Sequence, residues 1–461
     1  MSTPRRVLRV IPRFIGGGPE RSILALAGEL AALGETEDTT VVVLDPPVTP
    51  TMLLQARRLG VALVVDPTDA TFCDLVDAAD VVVLHFWNHP RLYERFGRVE
   101  LPACRVVVVV HVAGTTVPQV FTSEVAELAD ALVLTAPICR DSPGATAVHD
   151  RIPTIVMPSP IDRYRLEAAV HGRRRAVAPG SVDRPFTVGY VGSLNHGKLH
   201  PRIVELCASV TSGRVRFRFV GSGADPEALQ RRFDAAGIGD RVRVDGPTED
   251  VGAVLAEFDV FGYPLASSTY STTDRTLQEA MWVGVMPVVL AGSPVEPMID
   301  HDRTGLIVDQ AEWGSVIEAL ARDDRWRSRL ARSARAAARD RFDPERAAHR
   351  WLDFVRIVLA APKRRRAPVF GRTTSTSQRF VCSLGPFGGP FAVSLGTEGG
   401  DVAGAEHEIS ASPAILVSGE GGIVHYLNSD PHDVVLRHWA GLASRADGDI
   451  DQLHHAPQLD A

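Results

Sequence analysis

Apolar residues in the first 360 positions come in short continuous runs rather than in alternation: 7–11, 40–44, 62–65, 81–84, 105–110, 131–134 and 154–157, then 187–191, 215–220 and 241–244. Two further runs begin at Asp259 and Pro287. Runs of this kind are what strands become when helices cover both faces of a parallel sheet. Helical patterns separate them, such as Ile23, Leu24, Leu26, Ala27 and Leu30 after the first run, and 226–236 and 251–257 later. Strand and helix in alternation predict an α/β, doubly wound fold.

The apolar rhythm breaks once, from Asp162 through Arg173, Arg174 and Arg175 to Pro179-Gly180, and resumes at Phe186. That interval predicts a linker, hence two α/β domains over 1–180 and 181–342. Residues 313–341 read as helix, and 343–360 as one more helix with Trp351, Leu352, Phe354, Val355 and Val358 on its buried face. Beyond it, Lys363 to Arg366 reads as a solvated linker. In the remaining extension, 361–461, only 414–417, 423–427 and 431–442 look ordered among Gly, Pro and Ser. A small β-rich module or a partly disordered tail with docking segments both fit.

Candidate chemistry concentrates in 259–290: a buried strand, a hydroxyl-rich loop, a helix from about Asp274 and a second strand. A polar loop feeding a helix N-terminus offers backbone N–H groups and the positive end of a helix dipole, which suit a phosphate. Gly16-Gly17-Gly18-Pro19-Glu20 opens the first helix, but it is neither G-x-G-x-x-G nor G-x-x-x-x-G-K-[ST]. Two strands end in histidine, His85 and His111. Carboxyl ends of strands line the ligand crevice in such sheets. The small loop Gly114-Thr115-Thr116 favours His111 as a site residue, while His85 reads as a satisfied surface residue.

Totals narrow the classes. The 461 residues exceed one core, and 45% hydrophobic with 23% charged is a soluble composition. A net charge of −7 gives no general reason to bind nucleic acid. Five scattered cysteines form no C-x-x-C pair and fit a reducing, cytoplasmic compartment. Arg9 and Arg13 interrupt the first apolar stretch, making it a poor signal peptide, and no run approaches transmembrane length. Peripheral membrane contact stays open.

Taken together, Gly16-Gly17-Gly18-Pro19-Glu20-Arg21-Ser22, Gly192-Ser193-Leu194 with Lys198, Phe219-Val220-Gly221-Ser222-Gly223, and 279–289 resemble the retaining nucleotide-sugar glycosyltransferases of family four. The resemblance covers about residues 5–360. It implies the GT-B fold, in which two Rossmann-like doubly wound parallel-sheet domains face each other across a cleft, here with a C-terminal extension. It implies a nucleotide-diphosphate sugar donor, an unidentified acceptor, retention, and no cofactor or metal.

Residue by residue, Glu279 matches the glutamate that accepts hydrogen bonds from the donor ribose, and Lys198 the lysine that pairs with the diphosphate. Thr276 and Leu277 match positions whose backbone nears the phosphates, Gly17 matches the loop facing the donor, and His111 the histidine that touches the donor sugar. The sequence departs from the pattern twice. Ser271 stands where a sugar-contacting glutamate is usual, and Ser193 where an arginine usually accompanies the lysine. Arg275 is placed to restore that charge. These departures suggest one rival, a non-catalytic nucleotide-sugar-binding or partner protein; a second rival on the same fold is a sugar-nucleotide epimerase, which needs acid/base groups in the cleft.

Overall fold

The computed structural model describes residues 5–35, 37–176, 184–194, 198–222, 226–266, 269, 270, 272, 274–370, 375–412, 415 and 420–446. Two parallel sheets organise it. The first has seven strands in the order Thr154–Val156, Ala131–Leu134, Val106–Val110, Val81–Phe86, Arg5–Ile11, Glu37–Val43 and Ala62–Val65. The second has six, in the order Val242–Asp245, Val215–Val220, Phe186–Val191, Val260–Tyr263, Met286–Leu290 and Leu306–Val308. In chain order each sheet runs 3-2-1-4-5-6, the first adding a seventh strand. Its direction therefore reverses between the first and fourth strands, where a crevice opens at their carboxyl ends. Valines 106 to 110 are all buried, so that strand reads as one apolar run with no exposed face.

Two elements tie the chain back to the first sheet. Helix Pro344–Ala360 buries Ala348, Trp351, Leu352, Phe354, Val355 and Val358 against Val7, Val81, Val83, Val107 and Val109. Leu352, Phe354, Val355 and Val358 each contribute about 1.5–3 kcal/mol by this burial. Trp351 adds a polar lock: its Nε1 donates to Glu37 at 2.9 Å, and its ring lies 4.8 Å from the Arg9 guanidinium. Arg9 and Glu37 are themselves paired at 2.8 Å, each only 3% exposed, so the tryptophan covers a buried ion pair. Next, Arg364–Arg366 forms a short antiparallel strand with Leu101–Cys104. This corrects the solvated-linker expectation. Arg366 is 6% exposed and donates to the carbonyls of Leu128 and Cys104 and to Asp130, while Lys363 donates to the Ala79 carbonyl.

The extension is helical, not β-rich. Helices Thr376–Ser383, Gly389–Leu395, Val402–Ser410, Ile423–Ser429 and Val434–Ala446 surround Phe380, Phe391, Tyr426 and Trp439, which join the core of the first domain. Asn88 fastens it, donating to Ser383 Oγ at 3.1 Å and accepting from the Tyr426 hydroxyl at 2.8 Å. Of the segment expected at 414–417, all but Ile415 lies outside the described residues. No described helix is long and apolar enough to cross a membrane.

Candidate donor site in the interdomain cleft

At the switch point of the second sheet, strands Phe186–Val191 and Val260–Tyr263 lie side by side. Their carboxyl ends feed the loop to Lys198 and the loop to Asp274. On the other side of the first of these strands, Gly192 lies against Gly221 after strand Val215–Val220, so closely that a Cβ on Gly221 would sit 1.7 Å from the Gly192 carbonyl oxygen. Lys198 Nζ reaches Asp274 Oδ1 at 2.7 Å, with both side chains 11% exposed. Burial alone would depress the lysine, but attraction to Asp274 outweighs it and holds the ammonium above its ordinary pKa. The Tyr263 ring lies 5.6 Å from Nζ and adds a cation–π contact.

Asp274 is also the N-cap of helix Arg275–Val283, yet its side chain makes no capping bond. Aspartate ordinarily caps this position. Here its carboxylate turns to Lys198, and its Oδ2 is buried without a partner. The helix ends at Gly284, left-handed at φ +92°. Within it Arg275 Nε pairs with Glu279 Oε1 at 2.9 Å, one turn on, both 8% exposed. Burial pulls the Arg275 guanidinium below its ordinary range against the opposing charge of Glu279. Thr276 Oγ1 lies 3.4 Å from the Tyr263 hydroxyl. Leu277 is a core side chain whose N–H donates to the Asp274 carbonyl at 3.1 Å, which leaves the amides of Arg275 and Thr276 at the open end of the helix. Ser193 is half-buried on the facing loop, its carbonyl accepting from Tyr190 at 2.8 Å. Ser271 lies outside the described residues.

The first domain presents its own switch point across the cleft. Gly17 is the N-cap of helix Gly18–Ala32, and a Cβ there would sit 2.6 Å from Glu20 Oε2. Glu20 is buried beneath that loop, and desolvation lifts its pKa to about 7. One strand away, His111 Nε2 and His85 Nδ1 share a proton at 2.8 Å, their rings stacked. Burial pushes His111 down to about 3, so it is neutral at physiological pH and offers a hydrogen bond rather than a charge. His85 is 3% exposed and its Nε2 has no partner, which overturns its reading as a surface residue. The domains touch at this place: the Ala113 N–H donates to the Tyr270 carbonyl at 2.9 Å, and Thr272 Oγ1 to the His111 carbonyl at 3.4 Å.

The structure thus brings Lys198, Arg275, Thr276 and Glu279 to one helix mouth, with Gly17 and His111 on the facing domain. Sequence reasoning left Asp274 without a partner and Arg21 without a role, read Glu20 only as an acid complementing the dipole of the first helix, and read His85 as a satisfied surface residue. The only signal for Asp274 was an acid at a predicted helix start. Lys198, Arg275, Asp274 and Glu279 form two ion pairs of zero net formal charge.

Residues 185–323 match the family model described as glycosyl transferases group 1. Over 156 residues the chain is 30% identical to the Vi polysaccharide biosynthesis protein VipC/TviE of Salmonella typhi, spanning 32% of this chain and 26% of that protein. Over 171 residues it is 32% identical to a D-inositol 3-phosphate glycosyltransferase of Xylanimonas cellulosilytica, spanning 33% of this chain and 37% of that enzyme. The matched region therefore covers well under half of either relative's length. Among solved structures, Anabaena Alr3699/HepE in complex with UDP-glucose superposes with a TM-score of 0.60 at 14% identity, over 76% of this chain and 99% of that one. WaaG, a glycosyltransferase involved in lipopolysaccharide biosynthesis, does so at 0.53 and 16%, over 77% and 100%. The chain accordingly has a GT-B fold of two Rossmann-like domains, the second of which matches the group 1 glycosyl transferases over residues 185–323.

Proposed function

We propose that the protein transfers a glycosyl group from a nucleotide-diphosphate sugar to an acceptor hydroxyl, with retention, in a cytoplasmic setting consistent with its five free cysteines. The observation that carries this reading is the pair of charged couples at one helix mouth, Lys198–Asp274 and Arg275–Glu279, facing the glycine loop and the His85–His111 pair across a cleft. Glu279, with two acceptor oxygens on a rigid helix, suits the vicinal diol of a ribose. Lys198, the open amides of Arg275 and Thr276, and the Arg275 guanidinium meet the charge that grows on the leaving diphosphate, where fixed donors are most effective. This gives the protein a way to stabilise the leaving group without a metal ion. Neutral His111 orients a sugar hydroxyl, and Gly17 lets the first domain approach the donor closely.

In the reaction the bond from the anomeric carbon to the diphosphate breaks, the acceptor oxygen bonds that carbon, and the hydroxyl proton leaves with the diphosphate. The uridine donors carried by the Anabaena structures make UDP-sugars the first to test. The protein is incubated with a panel of nucleotide sugars, with and without acceptor extracts, in EDTA. We expect acceptor-dependent release of nucleoside diphosphate from one donor, undiminished by chelation, and product of the donor's anomeric configuration by NMR. Tight binding without turnover on any acceptor would support a binding protein, and isomerised donor an epimerase.

A further inference from the structure

Helices Arg163–Ala176 and Asp324–Arg341 line a groove of about 570 Å³, which shares Glu167 and Arg339 with a second basin of about 320 Å³. The first basin carries Arg332, Arg335 and Arg339 against one carboxylate, Glu167. Its walls are net positive. The second is balanced, with Arg163 and Arg339 against Glu167 and Asp343, and with Tyr164 and Trp282 beside them. Space of this size suits a small organic ligand better than a lone ion.

The sequence builds the basic wall by spacing. Arg332, Arg335 and Arg339 recur at intervals of three and four and so share one helix face, while Leu330, Ala334 and Ala338 bury another. The Arg339 guanidinium lies 4.7 Å from the Trp282 ring centroid. Its ion pair with Glu167 is loose, at 3.8 Å with both side chains 42% exposed, and yields readily to a better anion. Trp282 is 3% exposed, and its Nε1 has no hydrogen-bond partner. A buried N–H without an acceptor is costly, and a ligand hydroxyl in the second basin would relieve it. Trp282 stands near the C-terminal end of the helix that begins at Arg275, roughly 10 Å along its axis. Neither Lys198, Asp274, Arg275 nor Glu279 lines either basin, so the groove is a place apart from the donor site.

We propose that this groove is a second ligand site, independent of the donor site, that takes a phosphorylated sugar: Arg332, Arg335 and Arg339 receive the phosphoryl group, and Glu167, Asp343 and Trp282 Nε1 meet the hydroxyls. The planar fork of arginine spans two phosphoryl oxygens. Carboxylates in the second basin accept from hydroxyls and repel further negative charge. One phosphate at the end of a polyhydroxyl body therefore fits better than a diphosphate or an extended polyanion. Tyr164, 58% exposed, adds an aromatic surface for the sugar. The ligand would sit where the chain crosses between the domains in both directions, since Tyr164 is in the first turn of the outgoing helix and Asp343 caps the returning helix Pro344–Ala360.

Titration calorimetry on the intact protein tests the site, with the 6-phosphates of glucose, mannose and galactose as probes beside the unphosphorylated sugars and inorganic phosphate. One hexose phosphate should bind about 10-fold more tightly than inorganic phosphate, and the unphosphorylated sugars should not bind. Arg332→Gln and Arg339→Gln should each weaken that hexose phosphate about 10-fold. Arg332 is exposed, so its variant keeps the fold and decides the matter alone if others do not. Trp282→Phe keeps a ring under Arg339 but removes the N–H; it should weaken the hexose phosphate several-fold and leave inorganic phosphate unchanged. The proposal is overturned if none of the three hexose phosphates binds, if inorganic phosphate binds as tightly as all of them, or if Arg332→Gln and Arg339→Gln both keep wild-type affinity. Phosphatidylglycerol vesicles that capture the wild type but not Arg332→Gln, without hexose phosphate binding, would overturn it in favour of a membrane contact.

Discussion

Replacing Lys198 separates its structural part from its binding part. Lys198→Ala leaves Asp274 buried with neither oxygen in an ion pair, since Oδ2 already lacks a partner. Removing one member of a buried pair costs about 3–5 kcal/mol, and the 11% exposure of both side chains places this one near the lower figure. For a domain of this size each kcal/mol moves Tm by about 2–4 °C, so the second domain should melt roughly 6–12 °C earlier. Donor affinity should fall as well. The double variant Lys198→Ala with Asp274→Asn removes both charges and should recover most of the Tm, but nucleoside diphosphate affinity should stay depressed. Scanning calorimetry gives the first quantity and titration calorimetry the second. If the double variant regained wild-type Tm and also bound the diphosphate at wild-type strength, Lys198 would be a structural residue only.

Three further outcomes follow from other buried groups. His85, His89, His111 and His425 are all held below the ordinary value of 6.5 by burial, and His111 and His425 lie at about 3. The unfolded chain binds more protons there, so stability should fall as pH drops below 6.5, by about 1.4 kcal/mol per histidine per pH unit, read as Tm against pH. Glu20 has the opposite sign: its pKa is raised from 4.5 to about 7, so its contribution is lost as pH rises through that window. Glu20→Gln should therefore raise Tm relative to wild type at pH 8 and leave it unchanged at pH 4.5, and equal effects at both would refute the burial account. Finally, Trp351→Phe keeps an aromatic ring but strips the donor from Glu37, and should cost about 1–3 kcal/mol by denaturant unfolding.

What could be read in the sequence was what short range decides. Continuous valine runs marked the strands because a strand covered on both faces has no polar side, and the family resemblance singled out Lys198 and Glu279, which the structure brings to one helix mouth. What could not be read depends on long-range placement. Asp274 marked only the approximate start of a helix, because nothing local says that a lysine 76 residues earlier will draw its carboxylate away. His85 ended a strand as His111 did, and only the pairing of those two strands buries it against its neighbour. Arg366 belonged to a basic run that resembled a solvated linker, yet carbonyls at Leu128 and Cys104 wait for it. The extension misled through its composition: its glycines punctuate short helices, as Gly396 does at φ +75°, and Phe380, Phe391, Tyr426 and Trp439 find a core only by meeting the first domain.

The central claim is that the helix mouth at Arg275–Val283 receives a nucleoside diphosphate. Its most direct test is titration of the intact protein with UDP, GDP and ADP beside a Glu279→Gln variant, whose side chain still fills the space next to Arg275. The account predicts that one of the three binds the wild type with one-to-one stoichiometry and that Glu279→Gln weakens it at least severalfold, with a Tm loss no larger than the roughly 6–12 °C of breaking a buried pair. Equal affinity in the two proteins, or no binding of any of the three to the wild type, would contradict it.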